Sequence, residues 1–448
     1  MAYPPRISIV TPSYNQGRFL EECIDSILSQ NYPNLEYVIM DGGSTDGSVE
    51  IIRKYEKHLT YWQSCPDGGH YAAVSAGFTH TTGEIMAWLN SDDKYHPNAF
   101  LKIACIFSMH PHVDWLTGRC TLWDGSGNLA EQDYYLPTHS RKKFLEGNYS
   151  KPFIVQESTV WRRRLWERAG GYLNTKFSLA ADFELWLRFF RYAELYQTGF
   201  MIGGFRKHGD QRSYNNVDRY HQECRDAISA ELAAPLESAD FRPSPGPLKA
   251  TSEQLLLYAS KNGIPQSKTS GTIAWMRYLR NFTDWIESIP ESGNYQVAEL
   301  LRNELLVMGD VDSAETDPLL EKCNLHLTVM RQAVKRCLQG EQLHTLGDSA
   351  AAETSLHEAL TIWSMYPEAL NNKGVLLFEQ GDLKNAAEAF MAATVQKPFF
   401  REPYQNLALV YLHHGDRKEA MKIAAHYLAL NPDDTVMLEF SRRMAEWS

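Results

Sequence analysis

Residues 6–43 read RISIVTPSYNQGRFLEECIDSILSQNYPNLEYVIMDGG. The first run, RISIVTPS, has the apolar, β-rich character of a buried strand leading into a loop. Phe19, Leu20, Cys23, Ile24, Ile27 and Leu28 then recur at helical spacing, and LEYVIMDGG forms a second strand that ends in a turn. The alternation continues. Ser48–Tyr55 predicts a short helix, LTYWQSC (59–65) a third strand, HYAAVSAGFTHT (70–81) a small-residue helix and EIMAWLNSDD (84–93) a fourth strand. Alternating β and α units imply an α/β fold with a mainly parallel sheet covered by helices on both faces. Ligands of such sheets bind beyond the carboxyl ends of the strands. The polar clusters Thr11–Asn15, Asp41–Asp46, Cys65–Gly69 and Asn90–Asp93 all fall at those ends.

The chain has 448 residues, room for two or three domains of about 100–200 residues each. It is 44% apolar and 22% charged, ordinary globular material, and its net charge of −11 opposes general nucleic-acid binding. Small phosphate-bearing ligands remain open, because backbone N–H groups or a metal ion bind them without a basic surface. The seven cysteines (Cys23, Cys65, Cys105, Cys120, Cys224, Cys323 and Cys337) are odd in number and scattered, with no C-x-x-C, as in a reducing cytosol. MAYPPRISIV lacks the apolar core of a secretory signal, and no apolar run reaches about 18 residues. The expectation is a cytoplasmic chain without a transmembrane segment, with peripheral contact at the inner face of a membrane left open.

Beyond Trp115 the pattern is mixed. STVWRRRLWERAGGY (158–172) predicts a strand, a helix and a Gly-Gly stop, and DFELWLRFFRYAE (182–194) an apolar helix. A Pro-rich break at 233–250 precedes an almost wholly helical remainder. There, Gly-Asp recurs at Gly347, Gly381 and Gly415, an interval of 34 residues both times (381 − 347 and 415 − 381). Small residues keep register at Gly340, Gly374 and Ala408 and at Ala352, Ala386 and Ala420. Tyr427 breaks the Ala359, Ala393 set, prolines follow at Pro398 and Pro432, and Pro367 comes three residues late. This helix–turn–helix period resembles tetratricopeptide repeats, whose concave surface suits a protein partner or caps a neighbouring domain. The expected division is 1–232, a connecting region 233–332, and repeats 333–448.

Taken in order, ISIVTPSYNQGRFLEECIDSILSQNYPNLEYVIMDGGSTDGS, TTGEIMAWLNSDD, STVWRRRLWERAGGY, AADFELWLRF and FRKHGDQRS resemble family 2 glycosyltransferases of the GT-A fold, from about Arg6 to about Arg225. The resemblance implies a nucleotide-diphosphate sugar donor, UDP- or GDP-linked, and a divalent ion, Mn²⁺ or Mg²⁺. Departure of the diphosphate builds negative charge that such an ion neutralises, and carboxylate oxygens are its usual protein ligands. By resemblance Asp92 binds the metal, Asn90 and Ser91 occupy the rest of the D-x-D positions, and Asp93 supports the pair or positions the donor sugar. Without that context, Asp92-Asp93 is a turn starter. Thr11, Pro12, Ser13 and Tyr14 are implied to cradle the nucleoside, with Tyr14 near the base. Asp41 reads base or ribose, and Asp67 adds a donor contact. As bare sequence the first loop is only a helix cap, served by Ser13 or Asn15. Relatives carry D-A-x-N-x-G where this chain has Ala72 to Gly77. Two polar donor contacts are thus missing at Ala72 and Ser75, which implies that His70 or Tyr71 substitutes, that the donor differs or that activity is reduced.

An attacking hydroxyl needs a general base. By resemblance this is Asp182, which implies inversion at the anomeric carbon. Read alone, Asp182 caps a helix N-terminus, whose dipole lowers a carboxylate's proton affinity, so the base role requires burial. Glu184 caps or solvates the same helix start. His208 matches a histidine that completes the metal shell, and Arg206, Lys207 and Arg212 either close over the diphosphate or are solvated. Gln156, Glu157 and Trp161 are implied to face the acceptor. Trp161, Trp166 and Trp186 stack on sugars or fill the core. Arg162–Arg164 form a solvated face or meet an anionic lipid-linked acceptor. The acceptor class is a glycan, a lipid-linked glycan or a protein, in bacterial surface-polysaccharide or glycoconjugate synthesis. The rival expectation is a protein-interaction scaffold with a degenerate transferase domain. A nucleotidyltransferase is opposed by TPSYNQG, which lacks a Gly-rich basic loop.

Overall fold

The computed structural model describes residues 4–119, 121–127, 129–132, 139–147, 154–209, 216–234, 245–265, 302, 305, 313–398, 400–431 and 434–446. Cys120, Arg212, Pro432, residues 235–244 of the Pro-rich break and most of the connecting region lie outside these. The chain divides into two compact units, one carrying the sheets and the other including Asp317–Ser448.

The opening stretch forms β1 (Ile7–Ser13), α1 (Gly17–Leu28) and β2 (Leu35–Asp41). Next come α2 (Ser48–Tyr55), β3 (Tyr61–Ser64), α3 (His70–Phe78), β4 (Ile85–Trp88), β5 (Lys94–Tyr95), α4 (Ala99–Met109), β6 (Trp115–Arg119), β7 (Thr121–Trp123), β8 (Leu129–Gln132) and α5 (Arg141–Leu145). A 3₁₀ turn at Gln156–Ser158 leads into β9 (Thr159–Arg162), α6 (Arg163–Arg168), α7 (Ala181–Phe189), β10 (Tyr196–Met201), β11 (Gly203–Arg206), α8 (Val217–Ala233) and α9 (Ser252–Asn262).

The main sheet has seven strands in the order β10-β6-β9-β4-β1-β2-β3. Pairs β1–β2, β1–β4, β2–β3 and β6–β10 are parallel, while β9 runs antiparallel between β4 and β6. Successive side chains point to opposite faces, and both faces are buried. Ile7, Ile9, Ile39, Ile85 and Ala87 join one apolar cluster with α1 and α4. Val10, Val38, Met40, Met86 and Trp88 join another with α3, α6 and α7. Gly77 of α3 lies so close to β1 that a Cβ there would sit 2.5 Å from Val10 Cγ1. A smaller sheet has four strands in the order β5-β11-β7-β8.

The α1 cap differs from the expectation. Gln16 precedes the helix without capping it, and Asp46, from the loop after β2, accepts from Gly17 N at 2.8 Å. Asn15 turns instead to that same loop, its Oδ1 accepting from Thr45 N at 2.9 Å.

In the second unit, α10 (Ser313–Thr345) precedes α11 (Ser349–Ile362), α12 (Pro367–Glu379), α13 (Leu383–Gln396), α14 (Arg401–His413), α15 (Arg417–Leu430) and α16 (Thr435–Glu446). The recurring Gly-Asp does two jobs. Gly347, Gly381 and Gly415 take positive φ values of 83°, 81° and 76°, which end one helix. Asp348, Asp382 and Asp416 then cap the next, accepting from Ala351 N, Asn385 N and Glu419 N at 3.1, 3.2 and 3.0 Å. Ala352, Ala386 and Ala420 are fully buried where helices meet. Pro367 is late because it opens α12 at its first turn, where a missing N–H costs nothing.

Candidate active site

A cleft of about 740 Å³ opens at the carboxyl ends of β1 and β4. Pro12, Ser13, Tyr14, Asp67, Asn90, Ser91, Asp92, Gln156, Glu157 and Asp182 all line it. The antiparallel course of β9 brings the 156–158 turn there, since the turn precedes β9 and so lies beside the end of β4. Gln156 Nε2 donates to Trp88 O at 2.7 Å and fastens the two together.

Asn90–Asp93 is a tight turn, closed by Asp93 N to Asn90 O at 3.0 Å. Its two carboxylates point apart. Asp92 faces the cleft, and its Oδ2 lies 2.9 Å from His208 Nε2. Arg18 Nη2 is 3.1 Å from His208 Nδ1. A guanidinium only donates, so a neutral His208 in this arrangement carries its proton on Nε2, toward Asp92. Asp93 faces inward, nearly inaccessible, and accepts from Arg206 N at 2.7 Å and Asn90 Nδ2 at 3.0 Å. Burial and the Asp92 charge push its carboxyl well above the usual range. Asp93 is therefore a support of the turn, not a cleft contact. Arg206 does not reach into the cleft either. Its Nε donates to Asp92 O at 2.6 Å and its Nη2 to Glu22 Oε2 at 2.7 Å, and Glu22 also binds Lys94 Nζ at 2.6 Å.

Asn90 is fixed by two carboxylates. Its Nδ2 donates to Asp93 Oδ2 at 3.0 Å and to Glu157 Oε1 at 3.2 Å. Oδ1 is left buried without a partner among the described residues, as are Ser13 Oγ and Gln156 Oε1. Buried polar atoms are normally satisfied, and all three belong to residues lining the cleft. They leave places for polar groups of a ligand. Burial also pushes the Glu157 carboxyl up.

Asp182 enters from the first turn of α7, 8% exposed. Burial pushes its carboxyl up to about 6, against the lowering effect of the Phe183 N–H and Tyr71. Tyr71 OH donates to Leu179 O at 2.9 Å and reaches Asp182 Oδ1 at 3.3 Å. Tyr14 stands at the rim, 63% exposed, near Gly42 and Asp67. Asp67 Oδ1 accepts from Gly69 N at 2.7 Å.

Other expected contacts lie elsewhere. Thr11 is fully buried and its hydroxyl accepts from Tyr37 OH at 3.1 Å. Asp41 is 1% exposed, and its carboxylate is engaged by Gly43 N, Ser44 N, the Ser44 hydroxyl and the Ser64 hydroxyl. It builds the loop after β2 and does not face the cleft. Trp161 is fully buried, its ring centroid 5.5 Å from that of Trp88 and 5.8 Å from that of Trp186. It is a core residue, since inward-facing positions of β9 meet α6 and α7; Trp166 and Trp186 join the same cluster. Glu184 pairs with Arg188 at 2.8 Å instead of capping α7. Arg162 binds Glu84, Val113 O and Phe107 O, Arg163 binds Gly83 O and Thr81, and Arg164 binds Asp114 and Pro111 O. That basic run ties loops together. Ser75 Oγ accepts from Leu173 N at 3.1 Å, so this position serves loop packing.

His70, Tyr71, Leu122, Val155, Phe205, Val217 and Tyr220 also belong to the lining. Val217 and Tyr220 were not foreseen, because α8 carries no recognisable motif. Glu223 and Glu231 are buried on that helix, which only the structure reveals.

Among the described residues no group of three or more His, Cys, Asp or Glu converges as a metal cage. One carboxylate and one imidazole side by side nevertheless suit Mn²⁺ or Mg²⁺ that draws its remaining ligands from phosphate oxygens and water. For His208 to serve through Nε2, the proton must pass to Nδ1 and Arg18 must yield. No helix among the described residues is long and apolar enough to cross a membrane.

Comparison with known proteins agrees with this architecture. Residues 8–168 match the profile "Glycosyl transferase family 2", and 367–397 and 402–434 match "Tetratricopeptide repeat". The chain is 31% identical over 196 residues to an uncharacterised glycosyltransferase of Mycobacterium tuberculosis, spanning 42% of this chain and 70% of that protein. It is 27% identical over 226 residues to the chondroitin synthase of Pasteurella multocida, spanning 48% of this chain but only 22% of the synthase. The crystal structure of S. aureus TarS 1-349 in complex with UDP-GlcNAc aligns at a TM-score of 0.43 and 18% identity, over 71% of this chain and 92% of that one. The extent and identity of the mycobacterial match, with the profile covering β1 to α6, show that the chain belongs to glycosyl transferase family 2.

Proposed function

We propose that the chain transfers a sugar from a UDP- or GDP-linked donor to a hydroxyl of a glycan, lipid-linked glycan or protein, inverting the anomeric carbon. The observation that carries this reading is the presence, in one cleft, of a buried carboxyl raised to about 6 and of Asp92, which pairs with His208. Asp182 takes the proton of the acceptor hydroxyl as its oxygen attacks the anomeric carbon. The bond from that carbon to the diphosphate oxygen breaks, and its electron pair stays on the leaving diphosphate. Asp92 and His208 would hold Mn²⁺ or Mg²⁺, which when bound neutralises charge on the diphosphate. Tyr14 offers its exposed ring to the base, and Asp67, Pro12 and Ser13 line the nucleoside side. The free Oδ1 of Asn90 and Oε1 of Gln156 accept from ligand hydroxyls, and Glu157 holds the Asn90 amide in that orientation.

The setting we propose is bacterial surface-polysaccharide or glycoconjugate synthesis, on the cytoplasmic side and peripheral to the membrane. The catalytic part is 1–232, followed by a connecting region and by repeats from 333 that recruit a protein partner. The scattered cysteines, which form no disulfide among the described residues, support a reducing compartment. The scaffold reading rests on the repeats and on the losses at Ala72 and Ser75, and calorimetry with UDP or GDP plus Mn²⁺ distinguishes it, since a scaffold binds neither. Asp92→Ala and Asp182→Ala are each expected to abolish transfer in folded protein. Full turnover by either variant at saturating donor would remove that residue from its role.

A further inference from the structure

We infer that Glu223 of α8 is the positioning residue for Asp182, holding the 178–180 segment from which α7 presents that carboxylate to the cleft. The inference rests on the reading of Asp182 as the base. An α-helix leaves its first N–H groups without partners inside the helix. The residue before α7 is Ala180, which has no side-chain acceptor to serve as a cap. Glu223 answers part of this need from another helix, taking the Ala180 N–H together with the Leu179 N–H just ahead of it. Its Oε2 accepts from Leu179 N at 2.7 Å and Ala180 N at 3.1 Å, and its Oε1 from Ser178 Oγ at 2.9 Å. Arg219 Nε donates to the same Oε1 at 3.2 Å.

The segment is gripped from its other side as well. Leu179 O accepts from Tyr71 OH, the group that also reaches Asp182. Ser178, Leu179 and Asp182 line the cleft together with Val217 and Tyr220, about two turns and one turn upstream of Glu223 on its own helix. A short side-chain cap at position 180 would accept from N–H groups at 182 or 183 and would leave Leu179 N and Ala180 N unserved. Glu223 takes those two amides and ties them to α8, the helix that walls the cleft, so the wall and the base move as one body.

Charge gives the contact a second consequence. Burial opposes ionisation of Glu223, but the Leu179 and Ala180 amides and the Ser178 hydroxyl outweigh it and hold its carboxyl below the usual range. The groups facing Asp182 are Tyr71 of α3, the Phe183 N–H of α7, Glu223 and Tyr220 of α8, and Glu157 of the 156–158 turn. Of these, ionised Glu223 raises the proton affinity of Asp182, adding to burial.

The test uses the full chain labelled at aspartate carboxyl carbons, with D182N assigning the Asp182 resonance. E223Q keeps an oxygen acceptor but loses the charge. Its Asp182 midpoint is expected to fall by about half a pH unit or more, with kcat within about threefold of the parent. E223A removes the acceptor. Amide exchange at Leu179 and Ala180 is expected to rise at least about tenfold, and kcat for nucleotide release from UDP-N-acetylglucosamine or GDP-mannose to fall about 100-fold at unchanged donor KM. The inference is overturned if E223Q leaves the midpoint unmoved or if E223A leaves exchange unchanged. If E223A does not fold, E223Q alone decides through the midpoint. If the parent turns over no donor, the transferase reading of the cleft fails, while titration and exchange still decide the role of Glu223.

Discussion

Asp182 is a group whose burial works against the fold. Its carboxyl is raised from the ordinary 3.8 to about 6. The unfolded chain therefore loses this proton more readily than the folded chain. Stability tied to the group is present below the unfolded value and lost as pH rises through about 6, a cost of roughly 3 kcal/mol at neutrality by linkage. Asp182→Asn should thus abolish turnover yet raise the unfolding temperature at about pH 7.5, with no gain near about pH 4. Turnover of the parent should climb as pH passes through about 6, where the base ionises. Equal unfolding temperatures for parent and variant at the higher pH would contradict the burial argument. Asn90 makes the opposite point. Its amide separates Asp93 from Glu157, so Asn90→Asp replaces two hydrogen bonds with a third buried carboxyl. A loss of about 1–3 kcal/mol is expected, larger at alkaline than at acid pH, by urea unfolding. An Asn90→Asp protein as stable as its parent at alkaline pH would remove the locked-amide account. At this scale, what the motif order made legible was that Asp92 and His208 come together, and they lie 2.9 Å apart. Trp161 and Asp41 were not legible. Their burial depends on which partner covers them, and a single sequence carries no record of that.

The elements that decide the site are the four strand ends and the turn before β9. The first four strands and three helices were readable because their apolar runs and polar ends alternate in chain order. The antiparallel insertion of β9 was not. It reflects pairing between segments far apart in sequence, and no local pattern encodes it. Gly203 of β11 shows how tightly that turn is set, since a Cβ there would run into the Glu157 carbonyl. Gly203→Ala is expected to destabilise the fold by about 1–3 kcal/mol through overpacking and to displace Gln156 and Glu157. The readout is a drop in kcat/KM well beyond the small population shift that such destabilisation alone produces. Wild-type kinetics in a folded Gly203→Ala protein would show that the turn tolerates movement. In the second unit the Gly-Asp recurrence was fully legible, because a positive-φ glycine and an aspartate cap are both local chemistry.

For the molecule as a whole, the family 2 domain and the repeats are separate units, and each accounts for its own part of the sequence. If the repeats recruit the acceptor, deleting residues 333–448 should leave nucleotide release with a small sugar acceptor within about twofold while lowering transfer to the native acceptor at least about tenfold, an effective-concentration effect. Unchanged transfer to the native acceptor would assign the repeats a structural role. The most direct test of the central claim is a screen of UDP- and GDP-sugars with the full chain. It reads release of UDP or GDP with and without Mn²⁺, and repeats the reading with Asp182→Ala. The account predicts release from at least one donor, enhanced by Mn²⁺ and lost in Asp182→Ala. Release that survives unchanged in Asp182→Ala, or no release from any donor, would contradict it.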